Sequence, residues 1–294
     1  MNGLLILDKP AGLTSHDVVA LVRRVTGERS IGHLGTLDPM ATGVLPLLLG
    51  RYTRLAQFFG AAEKQYTGSI RFGYATDTYD AEGTATTERQ PLRCSLEELR
   101  VLAEGFLGTH DQLPPVYSAK KINGVPAHKL ARSGAEVPVK TARITVHAFE
   151  LTGFDEAASE VAFRMQISAG GYVRSVAHEM GQKAGCGAHL ASLRRTQAGP
   201  FTLAEAISAE ELKAMAGDEA ALVGLLPHPR TLLPQMPCVT VDERVAGQLR
   251  NGMQVNLPEF GREPLVKVFT SPTELLGIAR RIAGTLMQPI VVLG

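Results

Sequence analysis

One carboxylate and one imidazole share a stretch built for rigidity. Asp38 and His33 lie between Gly32 and Pro46, in Gly-His-Leu-Gly-Thr-Leu-Asp-Pro-Met-Ala-Thr-Gly-Val-Leu-Pro. Its three glycines and two prolines follow neither a two-residue nor a 3.6-residue period, so the spacing predicts a loop. Pro39 biases Asp38 away from helical backbone and places its carboxylate on a stiff extended turn. Such a carboxylate either caps its own turn or is displayed for chemistry. A lone carboxylate suits nucleophilic attack or a single proton transfer better than hydrolysis by an acid–base pair.

Other groups could join it. Tyr172 and Arg174 follow Gly170-Gly171, where an alternating run over 161–168 gives way to a helical pattern carrying Val173, Val176, Ala177 and Met180. Strand ends before helix starts are where sheet proteins expose rigidly based side chains, although both residues could equally be plain surface. Tyr66 falls on the apolar side of another alternating segment, with Gly68, Ile70 and Phe72, and is either core or site. From Ser118 to Arg143 the basic residues Lys120, Lys121, Lys129, Arg132, Lys140 and Arg143 face Glu136 alone. That cluster is either a solvated loop or a grip for several phosphates. The carboxylates of Thr76 to Gly83 suggest calcium, but their spacing does not match a calcium loop.

Several chemistries drop out. No phosphate-cradling Gly-x-x-x-x-Gly-Lys-Ser/Thr run, dinucleotide fingerprint or Gly-x-Ser-x-Gly elbow occurs. His178-Glu179 begins like a zinc-protease helix, but Gln182 stands where the second ligand would be. No cofactor and no metal is expected.

The elements that must position these groups are readable in outline. Leu4 to Leu7 reads as a buried strand. Thr14 and Ser15 can cap a helix that Gly27 stops. Ser95 with Glu98 and Ser208 with Glu211 form capping boxes. Gly185 to His189 and the basic Arg194-Arg195 pair read as a turn and its flank. Pro227, Pro229, Pro234 and Pro237 suggest a linker that leaves the tail as a separate, β-rich folding unit.

The 294 residues, 45% of them apolar, allow two domains, and thirty basic against twenty-nine acidic side chains create no global field. Any nucleic-acid partner must therefore be met by a local patch. Three scattered cysteines and the lack of a leader or of a long apolar run imply a cytoplasmic protein without membrane attachment.

The segment from Gly32 to Pro46 resembles the catalytic signature of the TruB-type tRNA pseudouridine synthases, which isomerise uridine 55 in the T loop of transfer RNA. Leu4 to Ser15, Lys64-Gln65-Tyr66, Thr76 to Gly83, Tyr117 to Lys120, Gly171 to Ser175 and Gly185 to Arg195 fall in the family's order. The resemblance implies an α+β fold: a pseudouridine synthase catalytic domain over 1–232, with a mixed, largely antiparallel sheet, flanking helices and an RNA-binding insertion at about 118–143. A small β-rich, PUA-like RNA-binding domain would occupy 233–294. It further implies Asp38 as the catalytic residue. His33, Tyr66, Tyr172, Arg174, Leu193, Lys120, Lys121, Lys129 and Arg132 would bind substrate. The expected partner is tRNA, gripped at its T arm and elbow by a monomer needing no protein partner. The alternatives are an RNA-binding chaperone that keeps the fold and a synthase of the ribonucleoprotein type acting on other RNA.

Overall fold

The computed structural model describes residues 1–60, 62–117 and 140–294, with the backbone alone at 121–122 and 125–126. Two apolar runs form the heart of the larger sheet, β1 (Gly3–Lys9) and β3 (Thr42–Leu49), paired antiparallel from Gly3↔Leu49 to Lys9↔Gly43. Both runs are nearly continuous because both faces are covered. Leu5 and Leu7 enter one core, while Leu4 and Ile6 enter another on the opposite face.

Around this pair come α1 (Ser15–Thr26), β2 (Ile31–His33), β4 (Lys64–Phe72), α2 (Leu96–Glu104) and β5 (Gly108–Gln112). A two-residue hairpin, β6 (Lys121–Ile122) with β7 (Val125–Pro126), forms a sheet of its own. Then follow β8 (Ala142–Asp155), β9 (Glu160–Ile167), α3 (Val173–Lys183), β10 (Ala188–Ala198), β11 (Phe201–Thr202) and β12 (Ile207–Ser208). The ten-stranded sheet runs β12-β1-β3-β10-β4-β9-β8-β5, with β11 on β10 and β2 on β3. Only β1/β12 and β3/β10 are parallel, which makes the sheet mixed and largely antiparallel. Two short helices, α4 (Ala209–Ala214) and α5 (Glu219–Gly224), follow β12.

The caps form as read. Thr14 and Asp17 close a capping box, and Gly27 ends α1 in the left-handed region, with φ +70°. The predicted loop is shorter than its glycines and prolines imply, because 42–49 is central strand. Pro46 is tolerated there for a geometric reason. Its carbonyl accepts Leu34 N–H at 2.9 Å, so its nitrogen also faces away from β1 and no β1–β3 bond is lost. The turn read at Gly185 is present, with Gly185 and Gly187 both at positive φ, but its basic flank is a central strand over 188–198.

A second sheet contains β13 (Cys238–Thr240), β14 (Val255–Asn256), β15 (Leu265–Phe269), β16 (Leu275–Ala283) and β17 (Leu286–Val292), in the order β13-β15-β16-β17-β14. Helix α6 (Glu243–Arg250) packs against it. The proline-rich stretch before this sheet is no free linker. Leu232, Leu233 and Met236 are buried in one core with Leu4, Ile6 and Leu48 on one side and Phe269, Ile278 and Val291 on the other. Fully buried Lys267 donates from Nζ to the carbonyls of Arg230 (2.7 Å) and Leu232 (2.6 Å), which ties the stretch down.

Candidate active site

The Asp38 loop is held from beneath by two buried cations. Arg195 of β10 donates from Nε to the Val44 carbonyl (2.7 Å) and from Nη2 to that of Gly35 (3.0 Å). Lys9, at the end of β1, donates from Nζ to the carbonyls of Pro10 (2.9 Å), Leu13 and Pro39 (3.1 Å). Its side chain has no solvent surface, and burial pushes its pKa down to about 8. Ser15 clamps Leu37 from both directions, accepting its N–H (2.9 Å) and donating to its carbonyl (3.1 Å). Gly43 is required where β3 begins: its φ is +105°, and a Cβ there would sit 2.1 Å from the Arg195 carbonyl oxygen. Asp38 closes its turn through the backbone, its carbonyl accepting Ala41 N–H at 3.1 Å. The carboxylate is thereby left to face Arg174.

Arg174 rises from the first turn of α3, which β5 fixes. Gln112 accepts Tyr172 N–H (2.8 Å) and donates to the Tyr172 carbonyl (3.0 Å), and Ser175 Oγ donates to the Leu113 carbonyl (2.8 Å). The guanidinium lies between two carboxylates. Nη2 donates to Asp38 Oδ1 at 3.1 Å, and Nε sits 2.9 Å from Oδ2 as a charge contact without hydrogen-bond alignment. On the other side Nη1 lies 3.4 Å from Asp80 Oδ2 and donates to the Thr78 carbonyl at 2.9 Å. Nη2 also donates to the Tyr117 carbonyl (2.9 Å).

Asp38, Tyr66, Tyr172, Arg174 and Leu193 line one cavity of about 510 Å³, joined by Lys64 and Arg195. The Asp38 side chain keeps 33% of its surface, yet it lines a recess in dense protein, and burial pushes its pKa above the ordinary carboxylate value. Arg174 opposes that rise and Asp80 adds to it. Burial also raises the Tyr66 phenol, which therefore presents a neutral ring. His33 faces an adjoining cavity of about 190 Å³ with Phe59, Lys64 and Phe201. Its Nδ1 is buried without a hydrogen-bond partner, and burial lowers its pKa.

Sequence reasoning missed Asp80, Lys9, Gln112 and Arg195 as parts of this site. Asp80 stood in view inside the carboxylate-rich loop, but its side chain serves Arg174 through Oδ2. Its Oδ1 accepts Thr78 Oγ (2.6 Å) and Glu82 N–H (3.1 Å), a bonding set that answers the calcium idea. Arg195 was visible only as half of a basic pair. Lys120, Lys129 and Arg132 lie outside the described residues, and so does the side chain of Lys121.

Comparison with known proteins adds a second line of evidence. The family model described as "TruB family pseudouridylate synthase (N terminal domain)" matches residues 23–173, and "tRNA pseudouridylate synthase B C-terminal domain" matches 174–232. The tRNA pseudouridine synthase B of Solibacter usitatus is 42% identical over 296 residues, covering 100% of both chains. That of Geobacillus thermodenitrificans is 40% identical, covering 90% of this chain and 88% of the relative. Among solved structures, an H/ACA RNP bound to a substrate RNA containing 2′-deoxyuridine superposes with a TM-score of 0.69 at 22% identity, covering 99% of this chain and 85% of that one. A Cbf5-Nop10-Gar1 complex gives 0.70 at 24% identity, with 99% and 85% coverage. At these identities the two structures establish a shared fold.

Proposed function

The chain belongs to the TruB family of pseudouridylate synthases, and we propose that it converts uridine 55 in the T loop of transfer RNA to pseudouridine, with Asp38 as the catalytic carboxylate. The observation that carries this reading is a half-open carboxylate, gripped by Arg174, on the wall of a cavity that Tyr66 and Tyr172 also line.

The reaction is an isomerisation. The bond from ribose C1′ to uracil N1 breaks, the base turns, C1′ joins C5, C5 gives up its proton and N1 acquires one. Oxidation state and composition are unchanged. What the protein must supply is a rigid group to attack or accept a proton, a place for the detached base, and the energy to extract it. Extraction from the T loop costs about a few kcal/mol, offset by stacking and phosphate contacts. Tyr66 supplies the stacking ring, and Tyr172 and Leu193 complete the walls. Arg174 keeps Asp38 charged and aimed by opposing the rise that burial imposes. His33 would fill the space the base vacates, while Lys120, Lys121, Lys129 and Arg132 would hold phosphates. The sheet over 238–292 would give a PUA-like second contact with tRNA.

The test is incubation of the purified protein alone with unmodified tRNA, followed by mapping of pseudouridine at nucleotide resolution. Modification of position 55 without any partner protein is expected. Modification elsewhere, or none, overturns the assignment. Asp38→Asn should abolish turnover while holding tRNA affinity within about tenfold, because it removes charge and almost no contact area. Turnover by that variant, free of wild-type enzyme and of deamidation, would remove Asp38 from the role.

A further inference from the structure

Asp80 and Thr78, the two groups that meet the far side of Arg174, flank a residue in an unusual conformation. Tyr79 has φ +65°, a region glycine enters freely and a bulky aromatic seldom occupies. Its ring lies flat on the imidazole of His178, with centroids 3.8 Å apart and planes 14° from parallel. His178 stands four residues beyond Arg174 on α3, one turn along the same helix face. The stack therefore ties the loop corner to the helix that carries the arginine. Arg174 Nη1 reaches back across this tie to the Thr78 carbonyl (2.9 Å) and Asp80 Oδ2 (3.4 Å).

The surroundings hold both rings still. The Tyr79 carbonyl accepts Leu190 N–H and the Leu190 carbonyl accepts Ala81 N–H, each at 3.0 Å, so β10 fixes the corner from behind. On the helix, Gln182 Nε2 lies 3.0 Å from His178 Nε2 one turn on. A turn with only a connecting duty would shed its strain by placing glycine at 79. Backbone strain retained beside a charged group that must be aimed points to a geometric duty for the ring.

We propose that Tyr79 and His178 act as a positioning pair that sets the aim of Arg174, and through it of Asp38, so that their stack governs the chemical step and not the affinity for RNA. This rests on the pseudouridine synthase reading above. Neither residue lines the reaction cavity, so neither is a catalytic residue.

The test uses the full chain, unmodified tRNA, single-turnover rates with enzyme in excess, and tRNA binding measured in parallel. Tyr79→Gly removes the ring while relaxing the backbone, and His178→Ala removes its partner. Each should slow the single-turnover step roughly tenfold or more, against about a hundredfold for a full 1 Å misplacement, with the tRNA Kd within about twofold of wild type. Tyr79→Phe and His178→Phe keep two stacked rings and should restore rates to within about threefold of wild type. The double variant Tyr79→Gly/His178→Ala should be no slower than its slower parent, because both changes break one unit. Rates within about twofold of wild type for both ring-removing variants, a His178→Phe as slow as His178→Ala, or a loss confined to Kd would each overturn the pair. A second readout needs no activity: the midpoint of the Asp38 carboxyl by ¹³C NMR. His178→Ala should raise it as the arginine loosens, and an unmoved midpoint overturns the pair. If the wild type forms no pseudouridine, the functional reading fails, and this titration still decides the contact.

Discussion

At the scale of the residue, the site asks a carboxylate to be charged where charge is costly. Asp38 has a folded pKa above its unfolded value of 3.8, through burial. Between the two values the unfolded chain has released the proton and the folded one still holds it, so stability falls as pH rises through that window. Above the folded pKa the ionised group remains a standing cost. Asp38→Asn should therefore melt at a higher temperature than wild type at neutral pH, in a thermal scan of both proteins, and an unchanged or lower Tm would contradict the sign. In the proposed reaction, where Asp38 attacks or accepts a proton, the ionised form is the working one. The single-turnover rate should fall as pH drops through the raised pKa, with its acid limb above the ordinary carboxylate range. A rate profile flat down to about pH 4 would show an Asp38 that titrates like a free side chain.

At the scale of the element, alternation and caps were legible, and close backbone approaches were not. The strand over 160–167, the helix after Tyr172 and the boxes at Ser95 and Ser208 all announced themselves through period and capping chemistry. Strand β3 hid behind Pro46, whose lost donor faces away from β1. Strand β10 hid behind Arg194 and Arg195, each of which has a partner that sequence cannot display: Asp8 for Arg194, at 2.6 Å, and the loop carbonyls for Arg195. Gly43 shows how tight that arrangement is. Gly43→Ala would drive a Cβ into the Arg195 carbonyl and strain a positive φ, so a loss of about 3 kcal/mol or more is expected, read by denaturant titration. The basic segment makes a different kind of prediction. Replacing Lys120, Lys121, Lys129 and Arg132 by Ala should flatten the salt dependence of tRNA binding, each lost phosphate contact lowering the log–log slope by roughly 0.7 to 0.9. An unchanged slope would make the cluster a solvated face.

At the scale of the whole molecule, the composition of the tail suggested a separable unit and the packing joins it to the rest. Prolines mark irregular backbone, but they say nothing about burial, and Leu232, Leu233 and Met236 between and beside them are core. Arg51 donates to the Leu293 carbonyl (2.8 Å) and Arg54 to that of Val292, which clips β17 onto the 3-10 helical segment after β3. Truncation after Pro234 would bare Leu4, Ile6, Val44, Leu48 and Leu55. At about 1.5–3 kcal/mol for each such side chain, the exposure rivals the roughly 5–15 kcal/mol that holds a domain together. The fragment should be insoluble or melt far below the full chain, as soluble yield and circular dichroism would report; a soluble fragment with an unchanged melt would show that the shared core is dispensable. The same core has a consequence for biosynthesis. Translation delivers Leu4 and Ile6 long before the strands that share their core, β15 to β17, which begin only at Leu265. In between the nascent chain carries an uncovered greasy face, a natural landing place for ribosome-associated chaperones.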